Sequence, residues 1–324
     1  MRLFPAGILI LCALVASQSC KKSGLDPDVD TTGHEIRFDD PKTKASIIED
    51  ADIMDFGVFI EKNLGKAGSP TENKWESLIE NERVYRVGST DDFNYDNTRF
   101  WVFDREFFFF GVHPYGTSVT RTAEETSSQT TFTYTVNLAV PYQANTDYMV
   151  AQKTVPVPLA FDVETPVDMN FRHLLSKVVI KIKKSSDYNA GDTFIVTQIG
   201  LSGSSRNGTL TATHAPGAYS ETLAPTAESR QIRRQNLDLE LTTEGVNVLD
   251  NDPEDGFEDG LLIMPQEFVD DLIKLSVAYT YQQYNDTEIQ YSTLEVDIPA
   301  DEINEWESGK SYTYSLELKI DNNL

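Results

Sequence analysis

Apolar and polar residues alternate in short runs over most of the chain, and a period of two predicts strands rather than helices. In residues 34–38 (HEIRF), Ile36 and Phe38 share one face while Glu35 and Arg37 take the other. Residues 132–140 (FTYTVNLAV), 177–183 (KVVIKIK) and 312–320 (YTYSLELKI) alternate in the same way. Apolar-rich runs at 52–60 (DIMDFGVFI) and 100–112 (FWVFDREFFFFGV) predict buried strands. Four successive phenylalanines, Phe107 to Phe110, must point to both faces of their strand. A central strand covered on both sides is the expected solution, and one exposed side would be a partner surface.

Shorter strand signals stand at 83–87, 193–201, 237–241, 260–264, 274–284 and 294–298. Residues 169–176 read as strand or a brief turn, and 73–82 as one or two helical turns or as loop. The polar stretch 39–44 and the Gly- and Ser-rich stretch 200–208 read as turns. Three prolines within 154–167, Pro156, Pro158 and Pro166, block ladder hydrogen bonds and mark a boundary. Many short strands separated by turn chemistry predict an all-β fold of two antiparallel β-sandwiches, over 34–160 and 161–324.

The first twenty residues follow another pattern. Arg2 precedes an apolar run, Ile8 to Val15, that is too short to span a bilayer as a helix. Small residues Ala16, Ser17 and Ser19 lead into Cys20. This predicts a lipoprotein signal peptide over 1–20, ending at Cys20, with a thioether-linked diacylglyceryl group on that cysteine and an acyl chain on its new amino group. Several chains are what stable anchoring requires. The alternative is an ordinary signal peptide cleaved nearby, with Cys20 incidental. Residues 21–33, polar with Pro and Gly, read as a tether.

Charge narrows the function classes. Of 324 residues, 27 are Lys or Arg and 52 are Asp or Glu, a net charge of −25. That argues against nucleic acid and against docking on anionic lipid heads by a basic surface. The only cysteines, Cys12 and Cys20, lie in the leader, so the body has no disulfide framework, thiolate zinc site or cysteine nucleophile. The four histidines are scattered, and no GxSxG, P-loop or HExxH occurs. No catalytic residue, metal or cofactor is therefore expected. His173 is expected as a hydrogen-bonded, half-buried residue and His113 as a strand end. The acidic loop 250–259 misses the EF-hand register at Gly256, and Asp92, Asn94 and Asp96 lack the required glycine. Both read as solvated loops. Arg230, Arg233 and Arg234 read as a protease-sensitive loop, part of a glycan site, or a solvated strand edge whose charge discourages pairing.

The order of segments resembles a known family. A lipoprotein signal and tether precede HEIRF, then a basic loop ending Lys42-Thr43-Lys44-Ala45, then DIMDFGVFI, FWVFDREFFFFGVHPY and DYMVAQ. VDMNFRHLLSKVVIKIK, LLIMPQ and a closing WESGKSYTYSLELKI follow. Together they resemble the fimbrillin family, the lipoprotein-derived subunits of type V pili and their accessory proteins. The resemblance covers most of 34–320. It implies two β-sandwich domains of transthyretin-like topology and no enzymatic activity. It also implies a lipidated precursor at the outer membrane, cut by a trypsin-like protease in the loop after the first strand. The opened groove then takes an extended segment of a neighbouring subunit by β-strand addition.

Carried onto this sequence, the removable strand is His34 to Phe38, with Ile36 and Phe38 as socket residues, each contributing roughly 2 kcal/mol when buried. Lys42 and Lys44 are the processing sites, with Arg37 an alternative; otherwise these are surface charges and the strand stays. One departure matters. Shaft subunits carry a C-terminal donor extension, whereas here 312–320 reads as the last strand and only Asp321–Leu324 follow. That implies a tip or accessory subunit, or a basal anchor that stays lipidated and uncut. Expected partners are other fimbrial subunits, the outer membrane through the lipid anchor, and a host or bacterial surface ligand. The rival reading is a free-standing surface glycan-binding lipoprotein. It would need an exposed aromatic platform, and Trp75, Trp101 and Trp306 are far apart in sequence.

Overall fold

The alternating segments fold as strands. A computed structural model describes residues 34–43, 53–65, 73–88, 93–139, 146–205, 207–226, 232–249, 260–268, 273–298 and 305–319. Among them every regular element is a strand, beginning β1 (Lys42–Thr43), β2 (Asp55–Asn63), β3 (Trp75–Arg86), β4 (Phe93–Asn94), β5 (Arg105–His113), β6 (Ser118–Glu125) and β7 (Thr130–Ala139). The middle of the chain forms β8 (Met149–Val157), β9 (Asn170–His173), β10 (Ser176–Lys184), β11 (Thr193–Ser202), β12 (Asn207–Ala215), β13 (Ala218–Pro225) and β14 (Ile232–Glu240). The remainder forms β15 (Val246–Asn247), β16 (Leu261–Ile263), β17 (Gln266–Glu267), β18 (Lys274–Gln282), β19 (Gln290–Asp297), β20 (Glu305–Trp306) and β21 (Ser311–Leu318).

The largest sheet has seven strands in the order β1-β9-β8-β5-β2-β3-β4. It is antiparallel except at its β1–β9 edge. Strand β5 runs between β2 and β8, so its four phenylalanines are central. Alternation sends Phe107 and Phe109 to one face, with Phe56, Val58 and Ile60. It sends Phe108 and Phe110 to the other, with Phe59, Phe132 and Tyr134. All four are fully buried, the covered central strand the sequence predicted. The Phe108 side is closed by a second sheet, β13-β12-β7-β6.

That second sheet joins strands from both sides of residue 160. Strand β12 pairs with β7 from Asn207↔Ala139 to His214↔Phe132, and β9 extends the first sheet beside β8. A break after residue 160 therefore does not separate the ladders. Pro156 lies inside β8, opposite Glu106, where β8 has β5 as its only ladder neighbour among the described residues, because β9 reaches just Met149 and Val150. A proline is tolerated on such an edge.

In the stretch 73–82, the chain is strand β3 from Trp75 onward, not helical turns or loop. Trp75 and Ile79 are buried four positions apart, which looks helical on paper, but Val84 is buried five further on. Register shifts against β2 at Val58/Ile60 and Ile60/Glu61, with Asn81 at φ 48°, break the period of two.

The second sandwich packs the sheet β14-β11-β18-β19 against a sheet built around β10. Strand β10 has β15 and β16 antiparallel on one edge and β21 parallel on the other. Its Val178, Ile180 and Ile182 meet Phe194, Val196, Leu275 and Val277 in the core, as the alternation predicted. Gly260 enters this sheet at φ +120°, and a Cβ there would lie 2.4 Å from the Val178 carbonyl oxygen. Gly260→Ala is expected to destabilise the protein by about 1–3 kcal/mol. An unchanged denaturant midpoint would contradict this close approach.

Candidate functional site

Two neighbours of the first described segment bracket it. On one side, Ile36 N donates to Arg99 O at 2.8 Å and Trp101 N donates to His34 O at 2.9 Å. On the other, Val167 N donates to Arg37 O at 2.7 Å and Asp39 N donates to Val167 O at 3.1 Å. The segment thus runs antiparallel to 99–101 and parallel to 167, where Phe38 bridges Val167. Farther on, β1 continues parallel to β9, with Lys42 opposite Asn170. The sequence predicted a strand at 34–38, and the structure places there an extended segment held by bridges on both flanks.

Alternation does the rest. Ile36 is 0% and Phe38 4% exposed, both inside the core on the Phe109 face of the large sheet. The Phe38 ring meets Phe56, Tyr95 and Phe109 edge to face, with centroids 5.8, 5.6 and 6.1 Å away. Trp101 extends this aromatic wall against Phe107 and Phe161, both at 5.1 Å. The Tyr95 hydroxyl donates to Ile36 O at 2.8 Å and accepts from Arg99 N at 3.1 Å. Burial pushes that phenol up to about 12, so it remains a donor.

The outward positions are charged. Arg37 Nη1 lies 3.2 Å from Glu164 Oε2, with both side chains more than half exposed. Asp40 Oδ1 lies 3.1 Å from Arg86 Nη2, and Arg86 also sits over the Phe93 ring. The first of these, an exposed pair, contributes about 0–1 kcal/mol, whereas the Arg86 side chain of the second is largely buried. Of the other sequence-predicted residues, Cys20 and Lys44 lie outside the described residues, as do the leader and the tether. Lys42 is placed by its backbone in β1.

The remaining candidates separate. Trp75, Trp101 and Trp306 are buried in three different cores, so they form no exposed platform. His113 ends β5, and His173 is buried with Nδ1 2.5 Å from Asp147 Oδ2. Arg233 and Arg234 lie on β14, a sheet edge. The loop 250–259 lies outside the described residues, and among those described no group of three metal-capable side chains occurs.

Sequence reasoning missed the partners of the segment, Tyr95, Arg99, Glu164 and Val167, because only the fold brings them to it. It also missed a buried charge. Glu61 is fully buried, accepts from the Tyr134 hydroxyl at 3.1 Å and lies 3.7 Å from Arg121 Nε. Burial outweighs the Arg121 charge and raises the carboxyl to about 8. The available signal was a Glu-Lys pair directly after an apolar run, with no turn residue between.

Chemically, this site grips an extended chain by main-chain hydrogen bonds on both edges and by two apolar sockets. A family model described as Fimbrillin-like matches residues 48–324. No curated protein sequence matches the chain. Among solved structures, a candidate cell adhesion protein from Bacteroides uniformis is similar at 16% identity, over 89% of this chain and 95% of that one, with a TM-score of 0.45. A fimbrial protein from Bacteroides ovatus is similar at 11% identity, over 88% of this chain and 50% of that one, with a TM-score of 0.38. The tip fimbrial protein Mfa3 from Porphyromonas gingivalis, C-terminally truncated, is similar at 8% identity, over 89% and 96% of the two chains, with a TM-score of 0.38. By the family match over most of its length, the chain belongs to the fimbrillin-like family.

Proposed function

We propose that this chain is a tip or accessory subunit of a cell-surface fimbrium, lipidated at Cys20 as a precursor at the outer membrane. Proteolysis at Lys42 or Lys44 removes the first segment, and an extended segment of a neighbouring subunit takes its place. The assembled subunit then presents a surface for a host or bacterial ligand. The observation that carries this reading is the bracketed seat of 34–39, with Ile36 and Phe38 as its two buried anchors. Its main-chain bonds and sockets are those that β-strand addition uses.

Geometry ranks the cleavage sites. Cutting after Arg37 would leave Phe38 in its socket, and the Arg37 carbonyl is held by Val167 N. Cutting after Lys42 or Lys44 releases both anchors together. The glycan-binding alternative gains nothing from the tryptophans, all three of which are buried.

Limited trypsin digestion with N-terminal sequencing tests the proposal. One early cut at Lys42 or Lys44, leaving a folded core that takes up an extended peptide, is the expected outcome. Scattered cuts, or a core that unfolds without binding peptide, would overturn it.

A further inference from the structure

The seat of the first segment is asymmetric in direction, in socket shape and in charge, and each asymmetry constrains whatever replaces that segment. We propose that the incoming segment reads aliphatic, cation, aromatic, then an acid two positions after the ring, and that it enters in the same direction as the segment it displaces. This rests on the strand-replacement reading above and specifies its partner.

Direction comes from the main chain. The retained chain offers Trp101 N and the Tyr95 hydroxyl as donors and Arg99 O as acceptor on one flank. On the other flank Val167 offers both its N–H and its carbonyl. The carbonyls of positions 34 and 36 meet the first flank, and the carbonyl of 37 and amide of 39 meet the second. A segment entering the opposite way exchanges the positions of its amides and carbonyls, and leaves buried donors unmatched.

Socket shape comes from the side chains. The Phe38 seat is walled by the edges and faces of Phe56, Tyr95 and Phe109, each roughly perpendicular to the occupant, at 84°, 77° and 87°. Such geometry favours a ring over an aliphatic side chain of similar size. The Ile36 seat is fully enclosed in the same core and suits a branched aliphatic residue. Between them, position 37 points outward to Glu164, and position 40 reaches Arg86. Glu164 and Arg86 both stay with the core after cleavage at Lys42 or Lys44, so a cation and an acid at those two positions complement it. These charges steer the segment, and the sockets hold it.

The test uses the full chain nicked by trypsin and a fluorescein-labelled heptapeptide, HEIRFDD, read by fluorescence anisotropy. Four unlabelled competitors follow: the same peptide, its Phe38→Ala form, its Arg37→Glu form, and the reversed sequence DDFRIEH. The parent is expected to compete best, the ring-deleted form about tenfold or more weaker, and the reversed form at least as weak. The charge-reversed form is expected to be a few-fold weaker at low salt and equal to the parent at high salt. Nicked Phe38→Ala protein, whose own segment is looser, provides a second acceptor if the wild-type segment leaves slowly. A reversed or ring-deleted peptide competing within about twofold of the parent overturns the partner rule while leaving strand replacement intact. Failure of every peptide to bind either acceptor overturns both.

Discussion

Phe38→Ala is expected to destabilise the intact chain by about 3–5 kcal/mol, the range for deleting a well-packed buried ring. The ring is 4% exposed and touches three others, none of which can close the gap without leaving its own strand or flank. Phe56 and Phe109 are fixed in adjacent central strands, and Tyr95 is tied through its hydroxyl to Ile36 and Arg99. Equilibrium denaturation by urea reads the loss as a lower midpoint. Cleavage at Lys42 or Lys44 is expected to accelerate in parallel, since the segment opens more often. A midpoint shift equivalent to less than about 1 kcal/mol would mean that the seat collapses around the smaller side chain, and the socket picture would fail.

The second large effect is a pH dependence set by Glu61. An unfolded chain releases this proton near the ordinary 4.5, whereas the folded chain holds it until about 8. Between those values the folded state binds the extra proton, so its stability falls as pH rises. The loss is about 1.4 kcal/mol per unit, about 5 kcal/mol across the window, and it is complete above the folded value. Glu61→Gln keeps the shape, accepts the Tyr134 hydroxyl and has no proton to lose. The difference in unfolding free energy between wild type and variant is expected to grow steadily in the variant's favour from pH 5 to pH 8. Identical pH profiles for the two proteins would show that Glu61 is ionised in the fold.

What the sequence disclosed was local. Val178, Ile180 and Ile182 declared their shared face by alternation alone, and Phe107 to Phe110 declared a strand covered on both sides. Ile36 and Phe38 likewise announced a strand-like pair of anchors. Strand β3 stayed hidden because its bulges against β2 break the period, leaving Trp75 and Ile79 at a helix-like spacing. The flanks of the seat stayed hidden for another reason. Arg99 and Val167 lie more than sixty residues apart, and periodicity carries no record of which distant segments become neighbours. The same limit hides the pairing of β12 with β7, since nothing in 207–225 says that this hairpin belongs there.

That hairpin has a consequence for biogenesis. Polypeptides emerge from the ribosome amino end first, yet the layer shielding Phe108 and Phe110 is incomplete until Pro225, the last residue of β13, has been synthesised. Until then the nascent chain carries a bare aromatic surface, the kind that holdase chaperones recognise. Completion of the first sandwich is therefore late and tied to synthesis of the second, so a half-made subunit has no finished seat to offer a partner.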